Sequence, residues 1–440
     1  APDGVEAVVE RAVALRALGQ NDEAREMLRW RINQTPERAE LWLALANTVH
    51  EQGLHSAAEA FLREALRLNP ASAEARANLA DLLFDAGHTK EARELYDTAV
   101  KRSPKNAQMR LNRAVLSLHA GDLKSGWRDY EWRLRVDDHV IERQFLLPAP
   151  RRWDGSPRNG RSLVLLAEQG LGDQIFFASL IPELIEHNEG RLIIECEPRL
   201  CALFARSFAP ARVHEYRAIS EGGRTRIAYD WLPETGGAAL YLEIGSLAKF
   251  LRHELTRLPE IYAPLTPDAE QLQHWRDWLG SLGAQMKLGI CWRSGKIGGL
   301  RNLNYAPISR WIDFLRESTC TLIMCQYDAS PDELAAFAAA GIKLHVPPAL
   351  DQKNEIDNTA ALFAALDAVA SAPTAVAMMS AALGTPTLKI TYAGAWTGFG
   401  YEHEPFLPAA RIIRAQTAGD WAECFAKARA ALAEILPDAK

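Results

Sequence analysis

Long apolar runs are lacking in this chain. The most apolar window, Ala360 to Leu383, is rich in alanine and broken by Asp367 and Pro373, so no membrane-spanning helix is expected. The opening residues APDGVEAVVE show neither a basic stretch nor an apolar one of the secretory kind, and the expected location is cytoplasmic. Excess positive charge is also missing. The net charge of -6 offers no electrostatic ground for binding nucleic acid or an anionic membrane. None of the cysteines sits in a Cys-x-x-Cys pair or at zinc spacing, so Cys196, Cys201, Cys291, Cys320, Cys325 and Cys424 read as buried free thiols. No histidine pair has a metal spacing with a carboxylate, and no Asp-x-Asp lies near a strand end. Neither a metal nor a cofactor is expected.

At 440 residues the chain is too long for one core and should hold two or three domains. Its first third repeats. Gly19, Gly53, Gly87 and Gly121 lie 34 residues apart, and Pro2, Pro36, Pro70 and Pro104 keep the same period. Ala12, Ala46, Ala80 and Ala114 form a third column, and Ala24, Ala58 and Ala92 a fourth, with Gly126 in its next slot. That is the period of the tetratricopeptide repeat, a helix pair turned by glycine and packed through small residues. The spacing predicts four repeats over residues 1–137, stacked as a solenoid. The fourth is irregular, with Arg110, Arg113 and Ser117 at expected apolar positions. Its Trp127, Tyr130 and Trp132 either meet another domain or close the solenoid's own core. Asn78 and Asn112 share one slot on successive first helices and are candidates to grip an extended acceptor backbone.

Proline and glycine then accumulate, which marks residues 138–160 as a linker. The organising stretch follows, SLVLLAEQGLGDQIFFASLIPEL from Ser162 to Leu184. Leu163 to Ala167 reads as a buried parallel strand, Gly170 and Gly172 as a sharp loop, and Ile175, Phe176, Leu180 and Leu184 as the inner face of a helix. Asp173 opens that helix. An acid there competes with a phosphate for the positive helix end, so the loop is expected to face a hydroxyl that loses its proton. Strand and helix signals alternate onward through Arg191–Cys196 and near Val213 and Ala239. A second series runs through Lys287–Arg293, Thr321–Gln326, Ile342–Val346, Ala365–Ser371 and Thr387–Thr391. The expected fold is an α-solenoid followed by two Rossmann-like α/β domains, at 161–265 and 266–415, with a C-terminal helix at 416–440 that packs back across their junction.

The string AEQGLGDQIFFASLIPEL resembles the first loop of heptosyltransferase-like GT-B glycosyltransferases. CWRSGKIGGLRNLNYAPISRW is similar to the opening of their second domain, and TAALFAALDAVASAPTAVAMMSAALGTPT to their donor-site helix. With the repeats in front, the chain resembles bacterial tetratricopeptide-repeat glycosyltransferases, among them flagellin glycosyltransferases that transfer nonulosonic acids. The resemblance implies a protein O-glycosyltransferase: residues 161–265 would face the acceptor, 266–415 would bind the nucleotide sugar, and the repeats would recruit flagellin. Where heptosyltransferases have Asp-Thr-Gly, this chain has Pro373, Thr374 and Ala375, which favours a CMP-linked pseudaminic or legionaminic acid as donor. The alternatives are an ADP-heptose or UDP-sugar donor, or a non-catalytic repeat adaptor or chaperone.

Glycosyl transfer needs a base for the acceptor hydroxyl and groups that stabilise the leaving phosphate. An aspartate at a helix start is most often a plain cap; with the resemblance, Asp173 reads as the base and Glu168 as its reserve, or as a group that orients Gln169. Gly170, Gly172 and Gln174 would approach the donor from the same loop. Arg293, Ser294, Lys296, Arg301 and Asn302 follow the first strand of the second domain as anion ligands. Gln326 and Tyr327 would touch the base or ribose. Thr374 and Ala375 open a helix with no acid in its first turn, where backbone N–H groups suit a phosphate.

Overall fold

The computed structural model describes residues 4–136, 141–146, 148–187, 189–221, 224–234, 236–252, 254, 262–295, 299–392 and 395–436. The chain opens with helix pairs Val5–Ala17 and Asn21–Gln34, Ala39–Glu51 and His55–Leu68, Ala73–Asp85 and Thr89–Arg102, and Ala107–His119 and Leu123–Tyr130. The turn glycines Gly19, Gly53, Gly87 and Gly121 have φ values of 76°, 76°, 83° and 78°, a left-handed backbone that glycine adopts without strain. Gly126 replaces alanine for a steric reason. A Cβ there would stand 2.6 Å from the Leu118 side chain and 3.1 Å from its backbone nitrogen.

Parallel α/β structure follows. One five-stranded parallel sheet has the order Arg151–Arg152, Leu240–Glu243, Leu163–Leu166, Leu192–Cys196, Arg212–Glu215. A seven-stranded sheet runs Leu344–His345, Thr321–Met324, Lys287–Cys291, Ala368–Ser371, Thr387–Ile390, Leu407–Ile413, His403–Glu404, and only the last strand is antiparallel. The central strands of both are buried along their whole length, as strands covered on two faces must be.

Two expectations need correction. Residues 138–160 are more than a linker: Arg151–Arg152 is the edge strand of the first sheet, and Ile141–Phe145 pairs in parallel with Arg224–Tyr229 in a small third sheet completed by Ala218–Glu221. The alternation of Ile141, Arg143 and Phe145 on one face is the strand signal that the surrounding prolines concealed. The C-terminal helix, Trp421–Ile435, does not cross the junction. Cys424, Phe425 and Ala428 bury it against the second sheet and Trp311, where they complete an apolar cluster.

The fourth repeat meets both α/β parts. Trp127 is buried among Tyr130, Phe177, Trp396, Phe399 and Phe406, and its indole N–H donates to the Arg252 carbonyl at 3.0 Å. The irregular Arg110 and Arg113 have a partner of their own, the buried Asp129. Trp132 lies beneath the guanidinium groups of Arg110 and Arg135 instead of joining the aromatic cluster.

Candidate functional site

The strand Leu163–Leu166 delivers the chain into the loop 167–170, which is held from several directions. The Ala167 N–H donates to Glu195 at 2.9 Å. Gln174 is buried and ties the loop down, donating to the Glu168 carbonyl at 2.6 Å and accepting from the Glu197 N–H at 2.9 Å. It does not line the cleft between the two α/β parts, so its expected contact with a sugar nucleotide is corrected to a positioning role. Gly170 caps the helix Leu171–Ala178, leaving Asp173 in its first turn with no capping bond.

Two cavities meet at this loop. The larger, about 820 Å³, lies between the two α/β parts. Gly170, Gly172 and Asp173 line one side, and Ser294, Tyr327, Thr374 and Ala375 the other. The helices Leu171–Ala178 and Ala375–Ala382 come together at their N-termini there: a Cβ on Gly172 would lie 3.5 Å from the Ala375 Cα. The second cavity, about 640 Å³, opens from the last repeat. Asn112, Tyr130 and Arg133 wall it on the repeat side, with Ile141, Arg143 and Phe145 of the unexpected strand and Tyr241 opposite. Gln169, Asp173 and Trp396 line both.

Asp173 is exposed to both cavities yet is ringed by protein. Desolvation, with the adjacent Glu168 charge, pushes its pKa up to about 6, against the opposing pull of Arg133 and Lys389. A carboxylate in that range is ionised at neutral pH and still basic enough to accept a proton. Glu168 is differently placed. Arg133 holds its carboxylate at 2.6 Å and the Gly245 N–H donates to it at 3.0 Å. A Cβ at Gly245 would come within 2.5 Å of that carboxylate and 2.9 Å of the Arg133 guanidinium, so a larger residue there would displace the pair. Burial works to raise the Glu168 pKa, but Arg133, the Gly245 N–H and Arg143 hold it below the usual carboxylate range. Its reading as a reserve base is corrected: the group is committed to positioning the loop.

Several expected donor ligands also have internal partners. Arg293 is paired with Glu333 at 2.6 Å and Asp328 at 3.0 Å, so it braces the second sheet and leaves the cleft lining. Gln326 is fully buried, accepts from the Trp292 and Arg293 N–H groups and donates to Asp328. It caps a strand end and lies outside the lining of either cavity. Asn302 lies in a 3-10 turn outside the lining of either cavity. Lys296 and the side chain of Arg301 lie outside the described residues. Ser294, Tyr327, Thr374 and Ala375 do face the cleft; the Tyr327 hydroxyl accepts from the Gly295 N–H at 2.8 Å, and Thr374 caps its helix by accepting from Val376. In the repeats, Asn78 donates to Asn47 at 2.8 Å, while Asn112 donates to Asp81 and accepts from Gln108. Both amides bridge helices, and only Asn112 reaches a cavity wall.

The cations that line the cleft are different ones: Arg199, Lys353 and Lys389. Arg199 donates to the Lys353 carbonyl at 2.6 Å and so links the two α/β parts. The signal for Lys389 was present in the sequence, a lysine inside the apolar strand TLKI. Among the described residues no group of three His, Cys, Asp or Glu side chains is arranged to hold a metal ion, and no helix is long and apolar enough to cross a membrane.

Comparison with known proteins identifies tetratricopeptide repeats at residues 9–73 and 49–116. Protein FlbA of Caulobacter vibrioides is 31% identical over 314 residues, which cover 71% of this chain and 52% of FlbA. The chain thus spans about half the length of that curated relative. Among solved structures, the tetratricopeptide-repeat protein TTC0263 of Thermus thermophilus matches 32% of this chain and 77% of its own, with 21% identity and a TM-score of 0.29. PilF of Pseudomonas aeruginosa matches 30% and 61%, with 20% identity and a TM-score of 0.29.

Proposed function

We propose that the chain is a GT-B glycosyltransferase that moves a sugar from a CMP-linked nonulosonic acid to a hydroxyl of a protein acceptor, with Asp173 as the base. The observation that carries this reading is the position of Asp173, on the wall shared by a cleft between two parallel-sheet parts and a cavity that begins at the repeats. Donor and acceptor then approach from opposite sides and meet at one carboxylate. The placement agrees with the rule that open α/β sheets bind ligands beyond the carboxyl ends of their strands, and it motivates treating the two parts as Rossmann-like domains. Asp173 takes the acceptor proton as the hydroxyl oxygen attacks the anomeric carbon. The leaving phosphate is met at the start of the helix Ala375–Ala382 by the Ala375 N–H, where no acid stands in the first turn; the Thr374 N–H already donates to the Ala372 carbonyl and the Val376 N–H to the Thr374 hydroxyl. The repeats supply a protein-binding surface that ends at Asn112, beside the acceptor cavity. On the family resemblance, flagellin in the cytoplasm is the first acceptor to test.

Calorimetry with free nucleotides tests the donor. CMP should bind more tightly than ADP or UDP, with no requirement for magnesium. Preference for ADP or UDP would replace the donor with an ADP-heptose or UDP-sugar.

A further inference from the structure

Lys389 is a buried cation that nothing in the reaction described so far uses. It lies on the strand Thr387–Ile390, its exposure is 4%, and it lines the donor cleft. Its ammonium donates to Glu404 and, at 3.1 Å, to Thr397, which itself donates to Glu404 at 2.7 Å. Glu404 is fully buried, and its second carboxylate oxygen has no partner among the described residues. A lysine has three N–H donors. Two are fixed by Thr397 and Glu404, which pins the ammonium and leaves the third for the cleft. Thr397 and Trp396 share that wall, and Trp396 continues into the acceptor cavity, so Lys389 stands at the reacting end of the cleft.

Resting on the donor class proposed above, we infer that Lys389 binds the carboxylate carried on the donor's anomeric carbon and thereby selects nonulosonic acids over aldose donors. A nonulosonic acid bears two anionic groups on the carbon that is attacked, the phosphate ester and the carboxylate. Both must lie at the Asp173 end of the cleft. Two positive features flank that end, the helix start at Ala375 for the phosphate and Lys389 for the carboxylate. Their division matches two anions on one carbon. An aldose donor has only hydrogen where the carboxylate would be and leaves the third N–H without a partner, at a cost of about 10- to 100-fold in affinity.

The test compares CMP-pseudaminic acid with its methyl ester and with CMP, by calorimetry, on the wild-type protein and on a Lys389→Met/Glu404→Leu variant. Removing both partners together avoids a stranded buried charge. The wild type should bind the acid about 10- to 100-fold more tightly than the ester. The double variant should hold CMP as the wild type does, which also reports its fold, and bind acid and ester alike. Equal binding of acid and ester by the wild type overturns the assignment without any variant. Retention of the preference by the double variant overturns it too. A wild type that binds no CMP overturns the donor reading itself, an outcome distinct from either.

Discussion

Replacing Asp173 with asparagine separates base catalysis from binding, because the amide keeps the size of the side chain and removes its proton affinity. A positioned general base contributes about 10²–10⁴-fold, so turnover should fall by that factor while CMP affinity stays within about twofold. The wild type should carry an acid limb as well. With a pKa of about 6, the carboxylate is ionised at pH 7.5, and below pH 6 the rate should fall about tenfold per pH unit as it protonates. Stability moves the other way. The folded pKa lies above the ordinary 3.8, so the proton held on Asp173 contributes stability that is complete below pH 3.8 and lost as the pH rises through about 6. A rise of that size in a sealed interior would be roughly 3 kcal/mol. The side chain is exposed to the cavity, so about 1 kcal/mol is the figure after discounting for solvent screening. Asp173→Asn should therefore melt slightly higher than the wild type at pH 7.5. Turnover is read from the mass gain of a protein acceptor, binding from calorimetry and stability from thermal melts. Turnover within about threefold of the wild type would refute the base assignment.

The neighbouring groups make separable predictions. Glu168→Gln removes the negative charge that helps to raise the Asp173 pKa, so the acid limb of the rate profile should move to lower pH; an unmoved or raised limb contradicts the pairing. Arg293→Ala should cost about 2 kcal/mol by unpairing Glu333, with CMP affinity unchanged. Since Arg293 helps to hold the Glu333 pKa down at about 2, despite burial that works to raise it, that stability is present above pH 4.5 and lost as the pH falls through about 2. A loss of CMP binding without destabilisation would return Arg293 to the donor site. Trp127→Ala opens a void among five aromatic rings and should cost about 3–5 kcal/mol, measured by urea unfolding; a change below about 1 kcal/mol would mean that the repeats and the α/β parts are only loosely joined.

What the sequence revealed follows the range of each signal. The repeats were legible because glycine and alanine columns act within one helix pair, and the helix after Leu166 because a glycine loop and an apolar face lie within a dozen residues. Arg293 was misread because its partner Glu333 lies 40 residues away, on a helix whose capping box had already spent Ser330 and Glu333 on each other. Glu168 was misread for the same reason, since Arg133 comes from the tail of the repeats. The strand Ile141–Phe145 is short, half polar and surrounded by prolines, so only its pairing with Arg224–Tyr229 defines it. Lys389 was passed over because a lone charge in an apolar strand reveals its use only when Glu404 and Thr397 are brought beside it.

These long-range pairs also show why the repeats are not a detachable module. Arg133 donates to Glu168 and to Ser246, Ser246 donates to Glu131, and Arg152 joins Glu131 to Glu243. The network begins in the residues that close the solenoid and ends on the loop that presents Asp173. Cutting the chain at residue 137 would remove Arg133 and leave the buried Glu168 carboxylate without its cation, a loss that destabilises strongly. It would also strip Trp127 and Tyr130 from Phe177. A truncation that fails to bind acceptor would then report a damaged loop as readily as a missing recruiting surface. The helices Ala107–His119 and Leu123–Tyr130 therefore belong structurally with the α/β parts, and recruitment by the repeats is to be tested ahead of them, on the surface of the first three helix pairs.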